Sequence, residues 1–290
     1  MGFEFLHSVG GPPRVGGTLL CDVLNQRGAE LGDVFASSTS DVADLTHVLQ
    51  PEFGVGRYVP SYRALHDSAW EKESQLEVLR GPARGRYYDR TEQHVFDKSR
   101  TWGITWPLFK ALFPGGRYVV PVRNFRDLLA SIITHDLEHP VTQVQAGQHM
   151  TTRELIERML KLDDVLGGTI RCVLEMYETC RNEMIVFRYE DWLTRPQAYM
   201  DFLYEQLGLE RFVHDFSAVP YTNIDADSLL RDAYPHPKSG PNGETTRPIR
   251  QPSVDKWRGM DMAAVFNWAA ERPEARAYQS MVDSIQCLPT

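Results

Sequence analysis

The chain has 290 residues, 42% of them hydrophobic, with 39 acidic side chains against 31 basic ones and a net charge of −8. That length lies near the limit of about 250–300 residues for one hydrophobic core, so a single domain over 1–290 is the simplest expectation. The acidic balance argues against general nucleic-acid binding, and no apolar run approaches the roughly 18 residues of a membrane span. At the N-terminus, Phe3 to Ser8 reads as a buried strand. Gly11-Pro12-Pro13-Arg14-Val15-Gly16-Gly17-Thr18 follows as a glycine loop, and Leu19, Leu20, Val23 and Leu24 then mark one helix face. A strand, a glycine loop and a helix start in this order set backbone N–H groups and a positive dipole end against an anion. The loop is almost G-x-x-x-x-G-K-[ST], but Gly17 stands where the lysine belongs and the cation moves to Arg14. The pattern implies a bound phosphate-like group without the usual nucleoside triphosphate chemistry, which disfavours a magnesium-dependent kinase.

Val34 to Ser37 reads as a second strand, followed by the turn Ser37 to Asp41 and a helical stretch from Asp41 to Leu49. Residues 51–94 mix proline, charge and aromatics without clean periodicity, and part of them is expected to cover a substrate. Val95 to Lys98 reads as a third strand and Trp106 to Phe113 as a helix. Tyr118 to Arg123 is a fourth strand, after which Asn124 caps a helix from Phe125 to Leu137 with Asp127 at its third position. Arg123 at the strand end and Ser131 about two turns into the helix face a ligand across that junction, where open parallel sheets bind. Arg153 to Tyr177 reads as the longest helix, with Leu155, Met159, Leu162, Val165 and Leu166 on its core side. Met184 to Tyr189 is a fifth strand. Residues 220–252 are rich in Pro, Gly, Asn and Asp and read as a long loop; because Arg250 stands at its end, it is expected to order as a lid. Strands alternating with helices imply an α/β protein, a three-layer, P-loop-like fold with a mostly parallel central sheet flanked by helices.

These motifs together resemble the sulfotransferase family, whose donor is 3′-phosphoadenosine 5′-phosphosulfate. Pro13-Arg14-Val15-Gly16-Gly17-Thr18-Leu19-Leu20 is similar to its P-[RK]-S-G-[ST]-T-L-L loop, with Val15 and Gly17 replacing two hydroxyl residues. Arg123 and Ser131 match the arginine and serine, eight residues apart, that hold the 3′-phosphate in the family. Arg250 and Trp257 match its C-terminal pair, Tyr189 its Y-E-D tyrosine near the adenine, and Phe96 to Arg100 the strand and lysine before the acceptor pocket.

The resemblance implies transfer of a sulfuryl group to an acceptor hydroxyl or amine by in-line displacement. Arg14, Val15, Gly16, Gly17, Thr18 and Leu19 would cradle the donor, and Arg123, Ser131 and Arg250 would hold its 3′-phosphate. Arg14 is expected beside the bridging oxygen, where negative charge builds as the sulfur leaves, with Lys98 a second cation at the transferred group. For the proton of the acceptor, Asp41 is the candidate base, with its reading as a helix cap open beside it, and His47 is a further candidate. No metal is expected. Two rival readings are a nucleotide-binding module that has lost catalysis, suggested by Val15 and Gly17, and a zinc peptidase through His135, Glu138 and His139. Cys21, Cys172, Cys180 and Cys287 form no Cys-x-x-Cys pair and Glu4 stands where a signal sequence would be apolar, so a cytoplasmic protein is expected.

Overall fold

Val and aromatic runs with apolar side chains at successive positions suit strands covered on both faces, and the computed structural model contains such a sheet. It describes residues 2–38, 40–53, 69–138, 150–222 and 244–288. Strands β1 (Phe5–Val9), β2 (Val34–Ser37), β3 (His94–Lys98), β4 (Tyr118–Val122) and β5 (Met184–Arg188) pair in parallel, in the order β2-β3-β1-β4-β5. Each strand lies within a residue or two of its expected position. Side chains alternate between two cores: Val95 and Val120 enter one, Phe96 and Val119 the other. The first core holds the helices Trp106–Leu112, Phe125–Glu138, Val165–Thr179 and Pro273–Ser284 against the sheet, and the second holds Gly17–Leu31 and Pro196–Leu207. The fold is therefore three-layered, with helices on both faces of a parallel sheet.

The long helix expected over 153–177 is instead two, Thr152–Met159 and Val165–Thr179. Each has its own start signal: Thr151 and Glu154 form a capping box, and the Asp164 carboxylate accepts from the Val165 N–H. Gly167 permits the tight return between them, since a Cβ there would lie 2.2 Å from the Lys161 carbonyl oxygen. Leu162 and Val165, placed on the core side by periodicity, are each 54% exposed at this break.

Within 51–94 the described residues form the end of helix Val42–Phe53 and the helices Ala69–Leu79 and Gly81–Arg86. The expected cover over 51–94 and lid over 220–252 rest largely on 54–68 and 223–243, which lie outside the described residues. The two described ends of the latter stretch pair as an antiparallel ribbon, β6 (Val219–Pro220) with β7 (Thr246–Arg247). Asp22, buried in helix Gly17–Leu31, anchors this ribbon: its carboxylate accepts from the Thr222 N–H at 3.1 Å, from the Thr222 hydroxyl at 2.7 Å and from the Arg247 guanidinium.

Histidines join the strands at their amino-terminal ends. His7 Nδ1 accepts from the Arg117 N–H at 3.2 Å, so its Nε2 is the donor to His94 Nδ1 at 2.9 Å. Both rings are neutral in this arrangement, and burial, reinforced by His94, pushes the His7 pKa down to about 3. Burial lowers that of His94 as well, and lowers His214 to about 4. Because the unfolded chain binds these protons near pH 6.5 and the folded chain does not, stability is complete above that pH and falls as the pH drops toward 3. Between pH 7.5 and 5, His7 alone is expected to cost about 2 kcal/mol of stability. Chemical denaturation at the two pH values checks this, and His7→Gln should flatten the dependence.

Candidate functional site

The loop after β1 is short of side chains and long on backbone donors. Helix Gly17–Leu31 has no side-chain cap at its start and no acidic residue in its first turn, so its N–H groups are open to an anion. The preceding loop is fixed by its neighbours: the Gly10 N–H donates to the Val119 carbonyl at 3.0 Å and the Gly11 N–H to the Tyr118 hydroxyl at 3.3 Å. Val15, which replaces a hydroxyl residue of the resembled loop, is buried in the core. Gly16 has φ 87° and lies so close to Tyr189 that a Cβ would meet the ring at 2.7 Å. Thr18 is half-buried at the helix start, and Leu19 packs against the second core.

Lys98 ends β3 in register with Val9, which places it beside this loop. Its stem passes Gly17, whose added Cβ would sit 3.2 Å from the Lys98 Cε, and its ammonium donates to the Ser38 carbonyl at 2.8 Å. Burial, and next the charge of Arg100, lowers the Lys98 pKa to about 8. Asp41 lies three residues past Ser38, exposed at the start of helix Val42–Phe53. Its carbonyl accepts from the Leu45 N–H at 2.9 Å, as a capping residue's does, while the Ser40 hydroxyl accepts from the Val42 N–H at 3.1 Å. His47 is exposed on the same helix.

On the other side of the loop, Arg14, Arg123, Asp127, Ala130, Ser131 and Lys256 help to line a cavity of about 240 Å³, far more than the roughly 10–15 Å³ that one water occupies. Arg123 enters it from the end of β4. The start of helix Phe125–Glu138 is closed to any ligand: Asn124 Oδ1 accepts from the N–H groups of Arg126 and Asp127, and Gln279 Oε1 from that of Phe125. What this helix gives the cavity is therefore side chains along one face, where Ser131, Thr134 and His135 follow Asp127 at helical spacing. Arg123 is nearly buried, with its Nε 3.9 Å from a Glu190 oxygen and its guanidinium 4.8 Å from the centre of the Tyr189 ring. That Nε is a buried donor with no hydrogen-bond partner among the described residues. Burial raises the pKa of Glu190, which accepts from the Asn124 N–H at 3.0 Å.

The C-terminal basic stretch reaches this cavity through residues other than the expected one. Arg250 is exposed and does not line it, whereas Ser253 and Lys256 do, and Trp257 is buried beside them. The stretch is held by Asp127, whose carboxylate accepts from the Asp255 N–H at 3.2 Å while Asp255 adopts a left-handed φ of 57°. The sequence contained the signal for Thr134 and His135, three and four residues beyond Ser131, and for Lys256 beside Trp257. The turn that chooses Lys256 over Arg250 depends on Asp127, a tertiary contact. His135 lines the cavity; the Glu138 side chain and His139, its expected zinc partners, lie outside what is described. Tyr189, expected near an adenine, packs between Gly16 and Arg123.

No protein-family model matches the sequence, and no curated protein matches it. Solved structures do match in fold. A structure described as the sulfotransferase domain from the curacin biosynthetic pathway aligns with a TM-score of 0.55 at 14% identity, over 97% of this chain and 98% of that one. One described as the sulfotransferase domain from the Synechococcus PCC 7002 olefin synthase aligns with a TM-score of 0.53 at 12% identity, over 98% and 96%. The chain thus has the α/β fold seen in sulfotransferases. No helix among the described residues is long and apolar enough to cross a membrane.

Gly16→Ala is expected to lower stability by about 1–3 kcal/mol, through its left-handed φ and the clash with Tyr189. Thermal melting checks the loss, and adding Tyr189→Ala should recover the part due to the clash.

Proposed function

We propose that the chain is a sulfotransferase that uses 3′-phosphoadenosine 5′-phosphosulfate as donor and transfers its sulfuryl group to a hydroxyl or amine acceptor. The observation that carries this reading is one cavity shared by Arg123, Ser131 and the Ser253–Lys256 turn, next to an uncapped helix start crossed by a lysine. The orphaned Arg123 Nε and the open N–H groups of helix Gly17–Leu31 fit two anionic ends of one nucleotide. Arg123, Ser131 and Lys256 hold the 3′-phosphate, and Thr18 with the backbone at Gly16 and Gly17 holds the 5′ end. The donor supplies the sulfuryl group, which leaves the 5′-phosphate oxygen as the acceptor's oxygen or nitrogen bonds to sulfur. Arg14 places its positive charge beside that bridging oxygen as it gains charge, and Lys98 is the second cation, at the transferred group. Asp41, three residues from the Lys98 anchor, takes the acceptor's proton. A cytoplasmic location belongs to the same proposal.

A second reading, a binding module with impaired catalysis, is favoured by the buried Val15 and by Gly17, which leave Thr18 as the hydroxyl of the loop. Each hydrogen bond lost to a charged group is worth about 1.5–3 kcal/mol. Turnover of labelled donor against a panel of alcohols, phenols, sugars and amines separates the two: tight binding of adenosine 3′,5′-bisphosphate with no turnover on any acceptor selects the module.

Arg123→Ala is expected to weaken binding of adenosine 3′,5′-bisphosphate by about ten- to a hundredfold, measured by calorimetry; unchanged affinity would remove the donor assignment. Lys98 carries its charge below its pKa of about 8 and loses it as the pH rises. Affinity for the same nucleotide is therefore expected to fall between pH 7 and 9, and Lys98→Met should abolish that slope.

A further inference from the structure

We infer that Asp97 is a positioning residue for the acceptor side of the site: from the face of the sheet opposite Lys98, its carboxylate holds the turn after β2 on which Asp41 stands. This rests on the sulfotransferase reading above and adds to it a residue that touches neither donor nor acceptor. Asp97 and Lys98 are successive residues at the end of β3, so their side chains leave opposite faces of the sheet. Lys98 engages the turn through the main chain, at the Ser38 carbonyl. Asp97 enters the first core instead, where Trp102 Nε1 donates to its Oδ2 at 2.9 Å. Ser8 of β1 and Ser37 of β2 stand in register with it on either side and share its face. Tyr87, just past helix Gly81–Arg86, is buried in the same core.

Packing alone does not call for an acid here. Asp97 is fully buried, where a carboxylate carries a desolvation cost, and a neutral amide would accept from Trp102 as well. What the acid adds is a charge and a second oxygen, Oδ1, which has no partner at hydrogen-bonding distance among the described residues. The groups that face it are hydroxyls. Burial raises the Asp97 pKa to about 6, and the donors Trp102, Ser40 and Tyr87, with the charge of exposed Arg86, restrain the rise. Ser40 belongs to the turn, and its oxygen accepts from the Val42 N–H at 3.1 Å, which leaves its proton for the carboxylate. Burial, and next the Asp97 charge, raises the pKa of Tyr87, so its hydroxyl remains a donor, and the hydroxyls of Ser40 and Ser37 face it. Thr101, three residues past Lys98, donates to Asp44 Oδ1 at 2.5 Å and so tethers the helix that Asp41 precedes. On the other face of the sheet Cys21 feels the same carboxylate, but burial pushes its pKa up to about 12 and keeps it a thiol. The turn is thus gripped from both faces of β3, and one of the two grips depends on an ionised Asp97.

The test uses the full chain and Asp97→Asn, which keeps an acceptor for Trp102 and removes the charge that draws in the turn; Ser40→Ala serves as the second variant should the asparagine form fold poorly. In either variant, hydrogen exchange of peptides spanning 37–45 is expected to speed up by about fivefold or more, with helix Gly17–Leu31 unchanged. In the wild type the same peptides should loosen, beyond the intrinsic change in rate, as the pH falls through about 6, and Asp97→Asn should lack that step. On the acceptor found with labelled donor, kcat is expected to fall by about tenfold or more while affinity for adenosine 3′,5′-bisphosphate changes by less than about twofold. The two substitutions combined should cost little more than Asp97→Asn alone. Exchange that rises throughout the chain, parallel losses of kcat and nucleotide affinity, or wild-type exchange and turnover in both variants each overturn the assignment. If the wild-type chain binds no bisphosphate, or binds it and turns over no acceptor, the sulfotransferase reading fails and takes this inference with it, whatever the exchange shows.

Discussion

One guanidinium, that of Arg123, ties together the ends of three strands. It donates to the backbone of the loop after β1, stands at the end of β4, and lies over Tyr189 and beside Glu190 at the end of β5. A nearly buried charge is tolerable only when partners surround it. Glu190 Oε1, 3.9 Å from its Nε, also accepts from the Asn124 N–H, so one carboxylate oxygen serves both groups. The guanidinium is thus held by Glu190, the Tyr189 ring and the loop carbonyl, while its Nε makes no hydrogen bond among the described residues.

That arrangement divides the carboxyl edge of the sheet into two kinds of polar surface. At helix Gly17–Leu31 the open donors belong to the main chain, because no side chain caps the helix start. At helix Phe125–Glu138 the main chain is already engaged by Asn124 and Gln279, and the polar groups are side chains along the helix face. The proposed donor, with two separated anionic groups, matches both surfaces, whereas a simple nucleoside triphosphate matches the first alone.

Much of this was legible in the sequence. The five strands show as apolar runs, and the β4 junction shows as an arginine followed by an asparagine cap and a serine two turns on. The split at Asp164 was hidden because Leu162 and Val165 keep the apolar rhythm through a break made by a cap and by Gly167. Arg250 was named through the resemblance, as the arginine seven residues before Trp257; that Lys256 lines the cavity follows a turn in which Asp127 grips the Asp255 backbone, 128 positions away in the chain. Likewise, Arg14 has a positive φ of 66° that no pattern of residue types announces.

The absence of a side chain at position 17 leaves a passage along which the hydrocarbon stem of Lys98 approaches the helix start. A threonine or serine there would contribute a hydroxyl but narrow the passage, since its Cβ would lie 3.2 Å from the Lys98 Cε and the lysine stem would have to shift. Position 17 and position 98 therefore form a coupled pair: a redesign that restores the hydroxyl has to reconsider the lysine at the same time, and the effects of changing them singly should not sum.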